Sequence, residues 1–268
     1  MVQPELEGKL KMTTPKKVLM LHGYAQNASI FSKHLRALRK SIGKDIELVF
    51  VDAPIVLHPV DVSGSSTSIL SAARRVVDTT RSSDPSTAPR AWWRLSWDCP
   101  FTHDSEMDVS ESLLHLREIL RRDRYDGVFG FSQGAGLAAL VSALLEWPHR
   151  YTPFLIDGEA PHPPFKFCIT VAGFKPTGPL SAEIYGTPYS TPTLHVFGRT
   201  DVVIIEEWTK ELLDLSQNKR VEEHVGGHFV PTRGKWKEMF LNYLLGSLGV
   251  IPSPASIVTS QPAIELNA

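Results

Sequence analysis

The chain predicts an α/β fold: a doubly wound, mostly parallel sheet with helices on both faces and one loop-rich insertion. Three observations carry this. Short apolar runs alternate with helix-length stretches from Lys16 to Leu248. Several runs end abruptly in turn residues, as at His22-Gly23, Asp52-Ala53-Pro54 and Gly198-Arg199-Thr200-Asp201. The 268 residues are 42% hydrophobic and 21% charged, enough for one large core with no sign of a second.

Residues 1–15 read as a flexible arm ahead of a domain spanning 16–250. Lys16 to Leu21 (KKVLML) is the first strand. A helix over Ser29 to Ser41 follows, with Phe31, Leu35 and Leu38 on one face and Gly43 as its stop. Ile46 to Val51 (IELVFV) is the next strand, ended by Pro54, which has no N–H for a ladder. The insertion, 55–100, is the least regular part. SGSSTS and RSSDPSTAP are loop-like, a short helix over Ile69 to Val77 fits between them, and Trp92, Trp93 and Trp97 gather near its end. Packed against a loop, those indoles are structural; facing a cleft, Trp92 and Trp93 are expected substrate-binding walls.

Asp104 to Arg122 reads as an amphipathic helix, with Val109, Leu113, Leu116 and Leu120 near helical spacing and Asp104 or Ser105 as cap. A short buried strand ends at Phe131, and a helical run covers Leu137 to Leu145. Tyr151 to Pro164 is proline-broken loop, Phe165 to Ala172 a strand, and a long loop runs to Pro192. A strand at Thr193 to Phe197, a helix near Ile205 to Ser216, a strand at Arg220 to His224 and a helix over Lys235 to Leu248 complete the domain. Residues 251–268 read as a disordered tail.

Composition excludes several function classes. A formal net charge of -1 gives no bulk attraction to nucleic acid or to a membrane surface. No apolar run is long enough for a spanning helix. The polar opening lacks a signal-peptide apolar segment, so a cytoplasmic location is expected. Cys99 and Cys168 are too few for a disulfide framework, and the ten histidines show no zinc-type spacing.

The chemistry gathers at Gly130-Phe131-Ser132-Gln133-Gly134. This Gly-x-Ser-x-Gly sequence falls between a strand and a helix, the context of a nucleophile elbow. The turn is strained and its neighbours must pass close, which glycine permits. Serine is a weak nucleophile unless a base takes its proton, and histidine titrates near neutral pH. His228 and Asp201 each sit in a loop just after a strand, and C-terminal strand ends of a parallel sheet share one edge. The chain order Ser132, Asp201, His228 is that of the α/β-hydrolase triad. Asp201 could also serve as N-cap of the helix after it. The expected oxyanion donors are the N–H groups of Gln133 and Tyr24, with His22 read as a structural residue of the turn after the first strand.

Six motifs in order resemble the FSH family of serine hydrolases, a eukaryotic α/β-hydrolase family abundant in fungi. They are LHGYAQN (Leu21 to Asn27), DAP (Asp52 to Pro54), RAWWR (Arg90 to Arg94), YDGVFGFSQGA (Tyr125 to Ala135), FGRTDVV (Phe197 to Val203) and GGHFVP (Gly226 to Pro231). The resemblance implies carboxylesterase or thioesterase activity on acyl chains, in some members release of a polyketide thioester from a carrier protein. It implies no metal and no organic cofactor.

Overall fold

A computed structural model describes residues 14–58, 87–95, 106–246 and 251–254. Residues 1–13 of the expected arm, the helix expected over 69–77, most of the 55–100 insertion and the tail from 255 lie outside the described residues. So do Trp97, Cys99 and the expected caps Asp104 and Ser105.

Eight strands are seen among the described residues. They are β1 (Lys16–Leu21), β2 (Ile46–Val51), β3 (Ile55–Val56), β4 (Arg90–Ala91), β5 (Gly127–Phe131), β6 (Phe167–Val171), β7 (Thr193–Gly198) and β8 (Lys219–His224). Six make one sheet in the order β2-β1-β5-β6-β7-β8, every pairing parallel. Strands β3 and β4 form a separate antiparallel pair, which ties the start of the insertion to its end. The α-helices among the described residues are α1 (Ala28–His34), α2 (Arg36–Ser41), α3 (Ser110–Arg122), α4 (Gln133–Glu146), α5 (Pro179–Ile184), α6 (Glu206–Asp214) and α7 (Gly234–Leu245).

Alternation along the strands builds two cores. In β1, Val18 and Met20 join Phe31, Leu35 and Leu38 with Phe240 and Leu244 of α7 on one face. Leu19 and Leu21 face the other way, into a core with Leu113, Leu116 and Leu120 of α3 and most of α4. A parallel sheet covered on both faces buries both sides of its strands, as in β5 and β6 throughout. β1 pairs with β2 on one side and with β5 on the other, so the chain reverses its winding between β1 and β5. Open α/β sheets place ligands at such a switch.

Several boundaries differ from the sequence expectation. α3 starts at Ser110, six residues later than Asp104, because Met107 N–H bonds Thr177 O (3.0 Å) and Asp108 Oδ1 accepts from Ser110 N–H (2.9 Å). The segment before it is thereby held outside the helix. The helix expected over 29–41 is two helices meeting at Leu35. α5 lies inside the expected long loop, opened by Pro179 after Gly178, whose φ of 121° suits glycine.

Candidate active site

Ser132 joins β5 to α4 with φ 54° and ψ -120°, a conformation costing about 1–3 kcal/mol for a residue with a Cβ. The surroundings hold it there. Ser132 N–H bonds Val171 O (2.9 Å), and Ser132 O accepts from Ala135 and Gly136 N–H (2.9 and 3.1 Å). The two glycines of the motif are required by close approach. A Cβ on Gly130 would lie 2.1 Å from Gly134 O, and one on Gly134 would lie 2.3 Å from Leu21 O. Gly134 thus presses the elbow against the end of β1.

The structure brings Ser132, His228 and Asp201 together. Ser132 Oγ lies 3.0 Å from His228 Nε2, and His228 Nδ1 lies 2.7 Å from Asp201 Oδ2. The three come from loops after β5, β8 and β7, at one edge of the sheet. Asp201 Oδ1 accepts from the N–H groups of Val203 (2.8 Å) and Ile204 (2.9 Å). That carboxylate therefore fixes its own turn with one oxygen and the imidazole with the other. α6 itself begins later, with Ile205 at its cap position. The Asp201 side chain is only 2% exposed and His228 20%, so the ion-pairing geometry is shielded while the imidazole stays reachable. Such a chain of contacts can move a proton off a serine hydroxyl and stabilise the resulting imidazolium.

On the oxyanion side, Gln133 is the first residue of α4, where an N–H has no carbonyl four residues back. Tyr24 lies in a turn closed by Gln26 N–H to Gly23 O (3.2 Å), with Ala25 at φ 56°. A Cβ built on Gly23 would lie 3.3 Å from Ser132 Cβ, so this turn passes directly beside the serine. His22 is wholly buried, with Nδ1 2.8 Å from Gly23 O and Nε2 accepting from Ala53 N–H (3.0 Å). Burial lowers its pKa to about 4, which keeps it neutral, and the Ala53 N–H bond to Nε2 places its proton on Nδ1.

Trp92 and Trp93 require a correction. Both are 0% exposed and sit in the core, so neither indole offers a face to a substrate. The Gln133 side chain explains the burial. Its Oε1 accepts from Trp92 N–H (3.0 Å) and its Nε2 donates to Trp93 O (2.8 Å). Trp92 Nε1 donates to His22 O (2.8 Å), and Ser112 Oγ donates to Trp92 O. The RAWWR segment is a plug behind the elbow and the turn that carries Tyr24. Arg90 adds to the same scaffold, donating to Ala53 O (3.0 Å) and lying 3.7 Å from Asp52, whose Oδ1 accepts from Ala28 N–H (2.7 Å).

A cavity of about 320 Å³ opens beside His228. Phe131, Phe229 and Val230 give it apolar walls, backed by the fully buried Phe31 stacked on Phe131, and Gln26 and His34 give it a polar end. Sequence reasoning missed these residues as site residues. Phe31 reads simply as the core face of a helix; Gln26, Phe229 and Val230 lay inside recognised motifs and offered the available signal.

A family model described as serine hydrolase (FSH1) matches residues 12–240. Esterase OVCA2 of Danio rerio is 32% identical over 237 residues, covering 86% of this chain and 96% of that protein. An uncharacterized hydrolase of Schizosaccharomyces pombe is 28% identical over 88% of this chain, which spans 52% of that protein. Among solved structures, Zea mays acyl-protein thioesterase 2 superposes with a TM-score of 0.58 at 18% identity, over 92% of this chain and 97% of that one, a likeness of fold.

Proposed function

The chain belongs to the serine hydrolase (FSH1) family, and on that premise we propose that it cleaves carboxylic esters or thioesters of acyl substrates through an acyl-serine intermediate. The supporting observation is the unbroken contact chain from Ser132 Oγ to His228 Nε2 (3.0 Å) and from His228 Nδ1 to Asp201 Oδ2 (2.7 Å). Ser132 Oγ attacks the acyl carbonyl while His228 Nε2 takes its proton. The carbonyl π pair moves onto oxygen, which the N–H groups of Gln133 and Tyr24 receive. The pair returns, the bond to the alcohol or thiol breaks, and His228 hands its proton to that leaving atom. Water then repeats the attack on the acyl-serine, freeing the acid and restoring Ser132. Asp201 holds the imidazole tautomer and stabilises its charged form throughout. The fold likeness to a thioesterase and the esterase-named relative support an acyl substrate of this kind.

A fluorophosphonate probe tests the reading. Wild-type protein should be labelled and Ser132→Ala should not. Equal labelling of the two would remove Ser132 from the role.

A further inference from the structure

The polar end of the cavity has a fixed hydrogen-bonding character. Gln26 Oε1 accepts from Gly23 N–H (3.1 Å), which assigns the amide orientation and leaves Nε2 facing His34 Nδ1 at 3.4 Å. An amide nitrogen only donates, so His34 Nδ1 accepts and the imidazole proton lies on Nε2. Desolvation pushes the His34 pKa down, in keeping with a neutral ring. The pair therefore offers the cavity N–H donors: the second amide hydrogen of Gln26 and Nε2–H of His34.

The cavity also has a sidedness. Its wall includes His228, which delivers a proton to the departing atom, and does not include Ser132 or Gln133, which hold the acyl carbonyl. An atom departing with the His228 proton can enter this cavity directly. We propose that Gln26 and His34 recognise the leaving group through a carbonyl oxygen a few atoms beyond the scissile bond, so that favoured substrates carry an amide or ketone on their alcohol or thiol. Phe131 and Phe229 pack the intervening methylenes. This rests on the acyl-serine reading above.

The test compares two butanoyl thioesters of equal leaving-group length, one on 2-acetamidoethanethiol and one on pentanethiol. The readout is the ratio of their kcat/KM values, which removes the acyl half from the comparison. His34→Leu deletes one donor on an exposed position. Gln26→Glu keeps an acceptor for Gly23 N–H but turns an oxygen towards the substrate carbonyl. The ratio, amide over alkyl, should fall about tenfold in each variant, the size expected for losing a hydrogen bond to substrate. An unchanged ratio in both variants overturns the recognition site. If Ser132→Ala is inactive on both substrates in that case, the acyl-serine reading survives alone. If Ser132→Ala hydrolyses both at the wild-type rate, both readings fall.

Discussion

Asp201 divides its carboxylate between two tasks, and one substitution separates them. In Asp201→Asn, the amide oxygen can still accept from Val203 and Ile204 N–H, but the group no longer balances an imidazolium. We expect kcat to fall on the order of 10³–10⁴-fold, by analogy with other triads, with the thermal midpoint nearly unchanged. A stopped assay beside a melting curve checks both halves. Gly134 behaves oppositely. A methyl there would strike Leu21 O and His22 O at 2.3 and 2.5 Å, both backbone atoms that cannot step aside cheaply. Gly134→Ala should cost at least about 2–3 kcal/mol, read as a lowered urea midpoint. At this scale, Ser132, Asp201 and His228 were legible because each follows a strand in a short turn of distinctive composition. Trp92 and Trp93 were not. An indole in a loop-rich segment reads alike as wall or plug, and the group that decides, the Gln133 side chain, lies about 40 residues away.

Among the elements, α4 does more than follow Ser132. Its first side chain staples the plug through two buried hydrogen bonds, which makes the elbow and the RAWWR segment one unit. Gln133→Ala keeps the backbone N–H but leaves Trp92 N–H and Trp93 O without those partners. The expected loss is roughly 2–4 kcal/mol, at the usual cost of stranding two buried polar groups. Acylation should slow as well, since the oxyanion turn leans on Trp92 through His22 O. Chemical denaturation and pre-steady-state acylation measure the two effects. Strands β1 and β2 were readable to the residue because apolar runs there stop at strong turn signals. α5 was hidden: six residues give too little periodicity. The late start of α3 was equally invisible, since it depends on a distant carbonyl at Thr177.

For the whole molecule, histidines buried in the neutral form contribute to the acid response, and His22 and His195 are the two shifted furthest. Desolvation lowers His22 from 6.5 to about 4 and His195 from 6.5 to about 3. Below pH 6.5 the unfolded chain binds these protons and the native chain does not. Their contribution is therefore complete above pH 6.5 and is lost as pH falls towards 4 and then 3, by up to about 1.4 kcal/mol per pH unit for each histidine. His195 lies outside the active site, in β7, with Nδ1 2.8 Å from Thr170 Oγ1. His195→Leu should make the dependence of the urea midpoint shallower between pH 6 and about 3.5. Parallel slopes for the two proteins would refute the assignment. The sheet order itself was only partly legible: alternation predicts parallel pairing, but the position of β1 between β2 and β5 depends on pairings between distant segments.

Ser132 is carried by a strand with neighbours on both sides, whereas His228 follows β8, which pairs with β7 alone among the described strands. β8 is also partly open to water, with Val221 42% exposed. Warming loosens such a rim before it loosens the centre. The catalyst's working life under heat should thus be shorter than the life of its fold: residual turnover will decay while circular dichroism still reports an intact sheet.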